Sequence, residues 1–468
     1  MTSASAASSA VALGPPGNAL PLSPYSPFDP VVDDYVYSRT NLGIGTVTPL
    51  EYAGWREEAM SWQETCYLHT GLNPAVTYRV TGPDALRFIS DLCVNGVSTW
   101  RIGMLKHGIM CNEDGLVLLH GVLMRAGQDE YLLHYRSPYP EYKLTTGRYD
   151  AVGEYIRDEF IFQLGGPRSL EIIETATRDC LHDIRFSGHR PSEIDGMPVR
   201  ILRMGMAGTL SYEVHGKTRD AIAIYDSLMA AGQPHGILKL GRIGYTMNHT
   251  QNGFPQAFVD FPGALGEDEG FKQYLGAQSA RLPAPVLTGS MGDDIRLRYR
   301  NPVELGWKNM IKFDHDFIGR RALEQEAASP RRTMVTLVWN PEDILDVHRS
   351  QFQPGEHYLP MDHPMHFTQA HARHVMHADQ VLKDAKLTGI STGRMYSYRY
   401  RAMISLCSID TENSELGTQV TVLWGNPGTR QKEIRATVSR FPFMNENRNE
   451  NIDVITIPCR AGSKQALA

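Results

Sequence analysis

The 468-residue sequence has no closely spaced cysteine pair, and so lacks the spacing of a zinc finger or a disulfide framework. Its six cysteines, Cys66, Cys93, Cys111, Cys180, Cys407 and Cys459, lie far apart and are read as reduced residues of a cytoplasmic protein. No apolar run approaches the roughly 18 residues that cross a bilayer. Nor does one sign of charge dominate: 46 basic side chains face 52 acidic ones, a formal net charge of −6. That balance excludes an electrostatic footprint for nucleic acid or an anionic membrane, while leaving room for a local basic pocket. The first basic residue is Arg39, so neither a signal peptide nor an Arg-rich transit peptide is expected. Walker, GxGxxG and HExxH motifs are all missing.

What remains is ordinary globular composition, 42% hydrophobic and 21% charged, enough for two to four domains. Residues 1–30 hold six Ala, six Ser and six Pro, too little apolar surface to offset the entropy of ordering. A flexible arm over 1–33 is expected, either mobile, laid over the surface, or used in oligomerisation.

Local patterns then alternate between strand and helix. Glu51–Glu64 spaces Trp55, Ala59 and Trp62 as one apolar helical face. Ala75–Val80 reads as a strand running through Gly82-Pro83-Asp84 into a helix capped by Asp84. The same grammar returns at Ile161–Leu170, where Gly166-Pro167 precedes a helix, suggesting two similar α+β lobes. Thr218–Ala231 places Ala221, Ile222, Tyr225, Leu228 and Met229 on one helical face, with Gly232 as the stop. Beyond residue 330, Met334–Trp339, Thr418–Trp424, Glu433–Phe441 and Asp453–Ile457 read as short strands, with Gly425–Gly428 as a hairpin loop. A C-terminal β domain, barrel or sandwich, is expected.

Three stretches offer chemistry. His357, His363, His366, His371, His374 and His377 fall together, fitting either a metal site or a polar insertion on the β domain. Asp314-His315-Asp316 looks like a dyad, but adjacent side chains diverge, so a turn entering a helix at Ile318–Glu324 is expected instead. In Ile201–Gly216, Gly205, Gly208 and Gly216 permit close backbone approach to a ligand. Glu213 on the following strand can accept two N–H donors from a guanidine-like edge such as a pterin presents. Taken alone, it reads better as a surface glutamate on an edge strand.

Four phrases carry a resemblance. Arg203–Val214 (RMGMAGTLSYEV) resembles the RTGYTGExGxE segment of the aminomethyltransferase (glycine-cleavage T-protein) family. Glu304–Leu323 (ELGWKNMIKFDHDFIGRRAL) is similar to its GLGWxVxxDKDFIGRxAL segment, and Gly389–Ala402 to its GxVTSGxxSPxL stretch, with Tyr398 and Tyr400 as departures. Gly82–Leu86 (GPDAL) is a further family phrase. Within the family the chain looks most like the tetrahydrofolate-dependent aryl O-demethylases that act on vanillate, 3-O-methylgallate and syringate. The resemblance implies an α+β, three-domain fold: two lobes around a central channel over 34–325 and a C-terminal β-barrel over 326–468.

It also implies roles. Glu213 corresponds to the pterin-binding glutamate, with Gln163 and Asn95 near the folate. Tyr245 matches the tyrosine needed for demethylation and also lies by the cofactor, and Arg136 matches the arginine that pairs with a substrate carboxylate. The implied reaction moves the methyl of a methoxylated aromatic acid to N5 of tetrahydrofolate, leaving a phenol; no metal is implied. Such a transfer needs O–CH3–N alignment, a stabilised phenolate and little water, which a tyrosine hydroxyl and an arginine fork can serve. The chain departs from vanillate-type pockets at Gly71 and Pro74, where that subfamily has glutamine and histidine, at Gly43-Ile44-Gly45, and at Phe254, where it has tryptophan. These substrate-pocket positions suggest a bulkier or less polar methoxyarene. The alternatives are a folate enzyme acting on an N-methyl, S-methyl or amine donor, or a folate-binding protein without turnover. Expected partners are small molecules only, with neither nucleic acid nor membrane.

Overall fold

The computed structural model describes residues 37–40, 47–70, 72, 76–206, 208–276, 285–366 and 375–460. The expected arm over 1–33 lies outside them. Two antiparallel sheets and a closed barrel form the frame. In the first sheet the order is Leu105–Cys111, Val117–Arg125, Glu130–Tyr135, Val76–Thr81 and Val152–Ile156. The second runs Gly188–Ile194, Met197–Arg203, Ser211–Lys217, Glu159–Gly165, Cys66–Thr70 and Ile237–Lys239, the last pair parallel. Arg332–Trp339, Ala402–Asp410, Lys386–Ser397, Asp379–Lys383, Gln419–Trp424 and Lys432–Ser439 close the barrel. Among the described residues no helix is long and apolar enough to cross a membrane.

The repeated strand–Gly-Pro–helix grammar produces the same turn twice. Gly82 and Gly166 take φ of +119° and +136°, and a Cβ would meet Asp150 O at 2.8 Å and Thr65 O at 2.5 Å. Only glycine fits there. Each carbonyl then accepts the N–H three residues on, Ala85 N–Gly82 O at 3.1 Å and Ser169 N–Gly166 O at 3.0 Å, starting the helices Ala85–Leu92 and Ser169–Thr177. Asp84 is not a side-chain cap: its carboxylate takes the Arg87 guanidinium at 2.6 Å and Asp150 N at 2.8 Å instead.

Other local expectations shift. Residues Val47–Glu51 form a strand, so the tryptophan helix begins at Trp55, with Trp55, Ala59 and Trp62 buried as its spacing predicts. In the helix Ala221–Gly232 the buried face is Ala221, Ile224 and Leu228, and Ile222 points to solvent. Gly232 is its last residue, as expected, though in right-handed backbone and with its missing side chain making room for Ile237; the left-handed Gly236 ends the 3-10 turn that follows. Asp453–Ile457 is no strand. It docks as a short 3-10 turn with Val454 in the core of the second lobe. Asp314 and His315 do hydrogen-bond, at 2.9 Å, and His315 Nε2 lies 2.9 Å from Cys93 O, so the pair latches a loop ahead of the helix Arg320–Ala328.

Candidate active site

The second sheet sorts its side chains by strand alternation. Phe160, Phe162, Leu164, Tyr212 and Val214 point to one face and build its hydrophobic core. Gln163 and Glu213 point to the other, and the register sets Glu213 opposite Gln163 and Gln163 opposite His69. Three polar residues on three adjacent strands therefore form one row. Gln163 Nε2 donates to Glu213 Oε1 at 3.0 Å, while its Oε1 accepts from Tyr67 Oη and His69 Nε2, both at 3.1 Å. His215 Nε2 lies 3.0 Å from Glu213 Oε2. Glu213 thus sits in an interior strand, not at an edge, with each oxygen held by one donor.

That row borders a cavity of about 260 Å³ between the two lobes, walled also by the helix Arg242–Asn252 and the stretch after it. Gly205 lines it where a Cβ would strike Ser211 Oγ at 2.1 Å. Tyr245 projects from the helix into the cavity, its hydroxyl 3.6 Å from Met206 Sδ and its ring edge-on to His69 and His249. Burial pushes the Tyr245 hydroxyl up to about 12, against the opposing pull of the nearby Arg242 and Arg136 guanidiniums. Arg242 is itself anchored on Leu72 O at 3.1 Å with its guanidinium 5.3 Å from the tyrosine ring centre.

Arg136 follows the strand Glu130–Tyr135 and lines the same cavity. Among the described residues no carboxylate lies within ion-pair distance of it. Its side chain is exposed to the cavity, yet the enclosing protein, with Arg242 as a like charge, lowers its pKa to about 10, still fully protonated at neutral pH. The histidines around the cavity are held neutral: burial pushes His69 and His107 down to about 4 and His134 and His249 to about 3.

Of the residues singled out from sequence, Glu213, Tyr245, Arg136 and Phe254 share the cavity wall, and Gln163 stands directly behind Glu213. Asn95 stands apart. It is not among the cavity's lining residues, and its amide is spent on Ile109 N at 2.8 Å and Met310 O at 3.3 Å, tying two loops together. Gly71, Pro74 and Gly43-Ile44-Gly45 lie outside the described residues, as do His371 and His374. The rest of the histidine run scatters: His363 packs on Trp55, and His366 sits against His377, which pairs with Asp379 at 2.8 Å. Sequence reasoning missed His69, His215, His249 and Met206, which touch Gln163, Glu213 or Tyr245. Of these only His215, two residues after Glu213 on one strand and hence on its face, carried a readable signal.

Residues 44–261 match the family model described as the GCVT N-terminal domain. Over 422 residues, covering 88% of this chain and 93% of the relative, the sequence is 42% identical to the sesamin methylene transferase of a Sinomonas species. It is 31% identical to the syringate O-demethylase of a Sphingobium species, again over 88% of this chain and 93% of the relative. The chain belongs to the aminomethyltransferase (glycine-cleavage T-protein) family. Its fold agrees: the glycine cleavage system aminomethyltransferase T of Bartonella henselae superposes with a TM-score of 0.63 at 14% identity, over 87% of this chain and 95% of that one. The T-protein fold thus accounts for two lobes enclosing a cavity with a barrel behind them.

Proposed function

We propose that the chain is a tetrahydrofolate-dependent O-demethylase, moving the methyl group of a methoxylated aromatic acid to N5 of tetrahydrofolate and leaving a phenol. The observation that carries the reading is the convergence on one cavity of Glu213, Tyr245 and an unpaired Arg136. Tetrahydrofolate, the co-substrate of this family, supplies the nitrogen that accepts the one-carbon unit.

The residues fit it. Glu213 uses one acceptor position on each oxygen for Gln163 and His215, leaving others free for two N–H donors of a pterin edge. The bare Gly205 backbone leaves space beside it. Gln163 positions the carboxylate, and Tyr67 and His69 fix which way the amide faces.

Tyr245 serves the leaving oxygen. Burial holds the Tyr245 hydroxyl above its ordinary value, which favours its keeping the proton. Tyr245 therefore donates a hydrogen bond without surrendering the proton, and Arg242 and Arg136 add positive potential where negative charge develops. Arg136 offers a fork for a ring carboxylate, which fixes the ring relative to the tyrosine.

A second reading is favoured by one comparison. Identity is higher to a relative named for methylene transfer than to one named for O-demethylation, so the transferred carbon can be that of a methylenedioxy ring. Incubating the protein with tetrahydrofolate and either a methoxybenzoate or a methylenedioxyarene separates the two. A phenol formed one-to-one with 5-methyltetrahydrofolate supports demethylation. A catechol with 5,10-methylenetetrahydrofolate supports methylene transfer, and neither product with any aryl ether contradicts both.

A further inference from the structure

Outside the cavity lining, the fold brings the distant Cys459 to three side chains that lie close together in sequence. Glu174 lies in the helix Ser169–Thr177, Cys180 and His182 follow that helix, and Cys459 arrives from the segment docked over it. One ligand atom from each lies within 4.8 Å of all the others.

Two details point to a missing centre. Glu174 is fully buried, and its carboxylate is approached by the backbone N–H groups of Leu181 and Arg460, each at 2.8 Å. Among the described residues no lysine or arginine side chain pairs with it, and coordinating a metal is one of the ways a buried carboxylate is satisfied. His182 Nε2 sits 3.3 Å from Glu174 Oε1, yet the two are not aligned for a hydrogen bond and the nitrogen is buried without a partner. Two ligands on a tetrahedral zinc, each about 2.0–2.1 Å from it, stand about 3.3–3.4 Å apart.

We propose that Cys180, His182, Cys459 and Glu174 bind a structural zinc ion that pins the segment carrying Cys459 onto the second lobe. Two thiolates with an imidazole and a carboxylate suit Zn²⁺, and four protein ligands leave no open position for catalysis. The segment is already aligned for this: Val454 enters the core, Arg203 holds Asn449 and Ile452 by their carbonyls, and Arg460 pairs with Glu171 at 3.0 Å. The zinc replaces the two thiol protons, and no redox change is involved.

Elemental analysis of the untagged chain, purified under reducing conditions without chelator and then dialysed with zinc, tests this. About one zinc per chain is expected. The Cys180→Ser/Cys459→Ser variant should retain less than about a tenth of that, with folate affinity within about twofold of the parent. Cobalt loading should give thiolate charge-transfer bands that Cys459→Ser alone reduces by about half or more; because Cys459 is exposed, that variant keeps the core intact. The proposal is overturned by a parent protein that retains no zinc, or by a Cys180–Cys459 disulfide seen in the intact mass. It is equally overturned if the double variant retains full zinc, which moves the metal to another cluster such as His134, Glu159 and His215.

Discussion

Gln163 and Glu213 are directly paired across two antiparallel strands and joined by a 3.0 Å hydrogen bond from amide to carboxylate. The carboxylate that faces the cavity is thereby held by a residue fifty positions earlier in the chain. Glu213→Gln replaces an acceptor by a group that is half donor, beside a Gln163 amide that also donates. Hydrogen bonds to a charged group contribute about 1.5–3 kcal/mol, so folate affinity should fall about 10- to 150-fold by calorimetry. Unchanged affinity would remove Glu213 from the folate site.

Tyr245→Phe keeps the ring and its edge-on contacts with His69 and His249 and deletes only the donor. Turnover should drop about 10²–10³-fold, the usual effect of losing one donor to a developing oxyanion. Folate binding, measured separately, should move by less than about twofold. An equal loss in both would make Tyr245 a binding residue.

Arg136→Ala should raise KM for methoxybenzoates about 10- to 100-fold with a smaller change in kcat, as loss of ground-state binding does. An uncharged methoxyarene offers no carboxylate, so its KM should stay the same and only the smaller loss in kcat should be shared. Equal loss on charged and uncharged donors would assign Arg136 to the folate tail or to the fold.

Stability should fall with acid. His69, His107, His134, His189 and His249 are held neutral, with pKa values pushed to about 3–4 by burial, against about 6.5 in the unfolded chain. Between those values the unfolded chain binds more protons, so their contribution is complete above pH 6.5 and is lost as pH drops toward 4. Glu58 and Asp260 work the other way: burial raises them to about 7 and about 6, so their folded forms gain as pH falls through those values. Five groups outweigh two, and thermal unfolding followed from pH 8 to pH 4.5 should show a falling midpoint. A midpoint that rises on acidification would mean these histidines are solvated.

Much of the site was legible because family phrases hold it: the glycine-bracketed Glu213 strand and the Tyr245 helix stand within recognisable segments. What one strand cannot show is its neighbours. Gln163 in an apolar strand and His69 in another carry no signal separately, and only the register brings them onto one face. Ile222 was misplaced because helical spacing allows two adjacent faces, and contact with the Ser169–Thr177 helix chose the one carrying Ile224. Asp453–Ile457 has strand-like composition, yet it docks on the second lobe through Val454 without joining a ladder. Cys180 and Cys459 meet only through that docking, which no local spacing encodes.

The most direct test of the central reading follows the carbon itself. The protein is incubated without oxygen with tetrahydrofolate and a methoxybenzoate labelled with ¹³C in the methoxy group, and the folate product is analysed by mass spectrometry and NMR. Label recovered as an N5 methyl, in equal amount to the phenol released, is the expected result. Phenol without labelled folate, or labelled folate only from an amine donor, would contradict it.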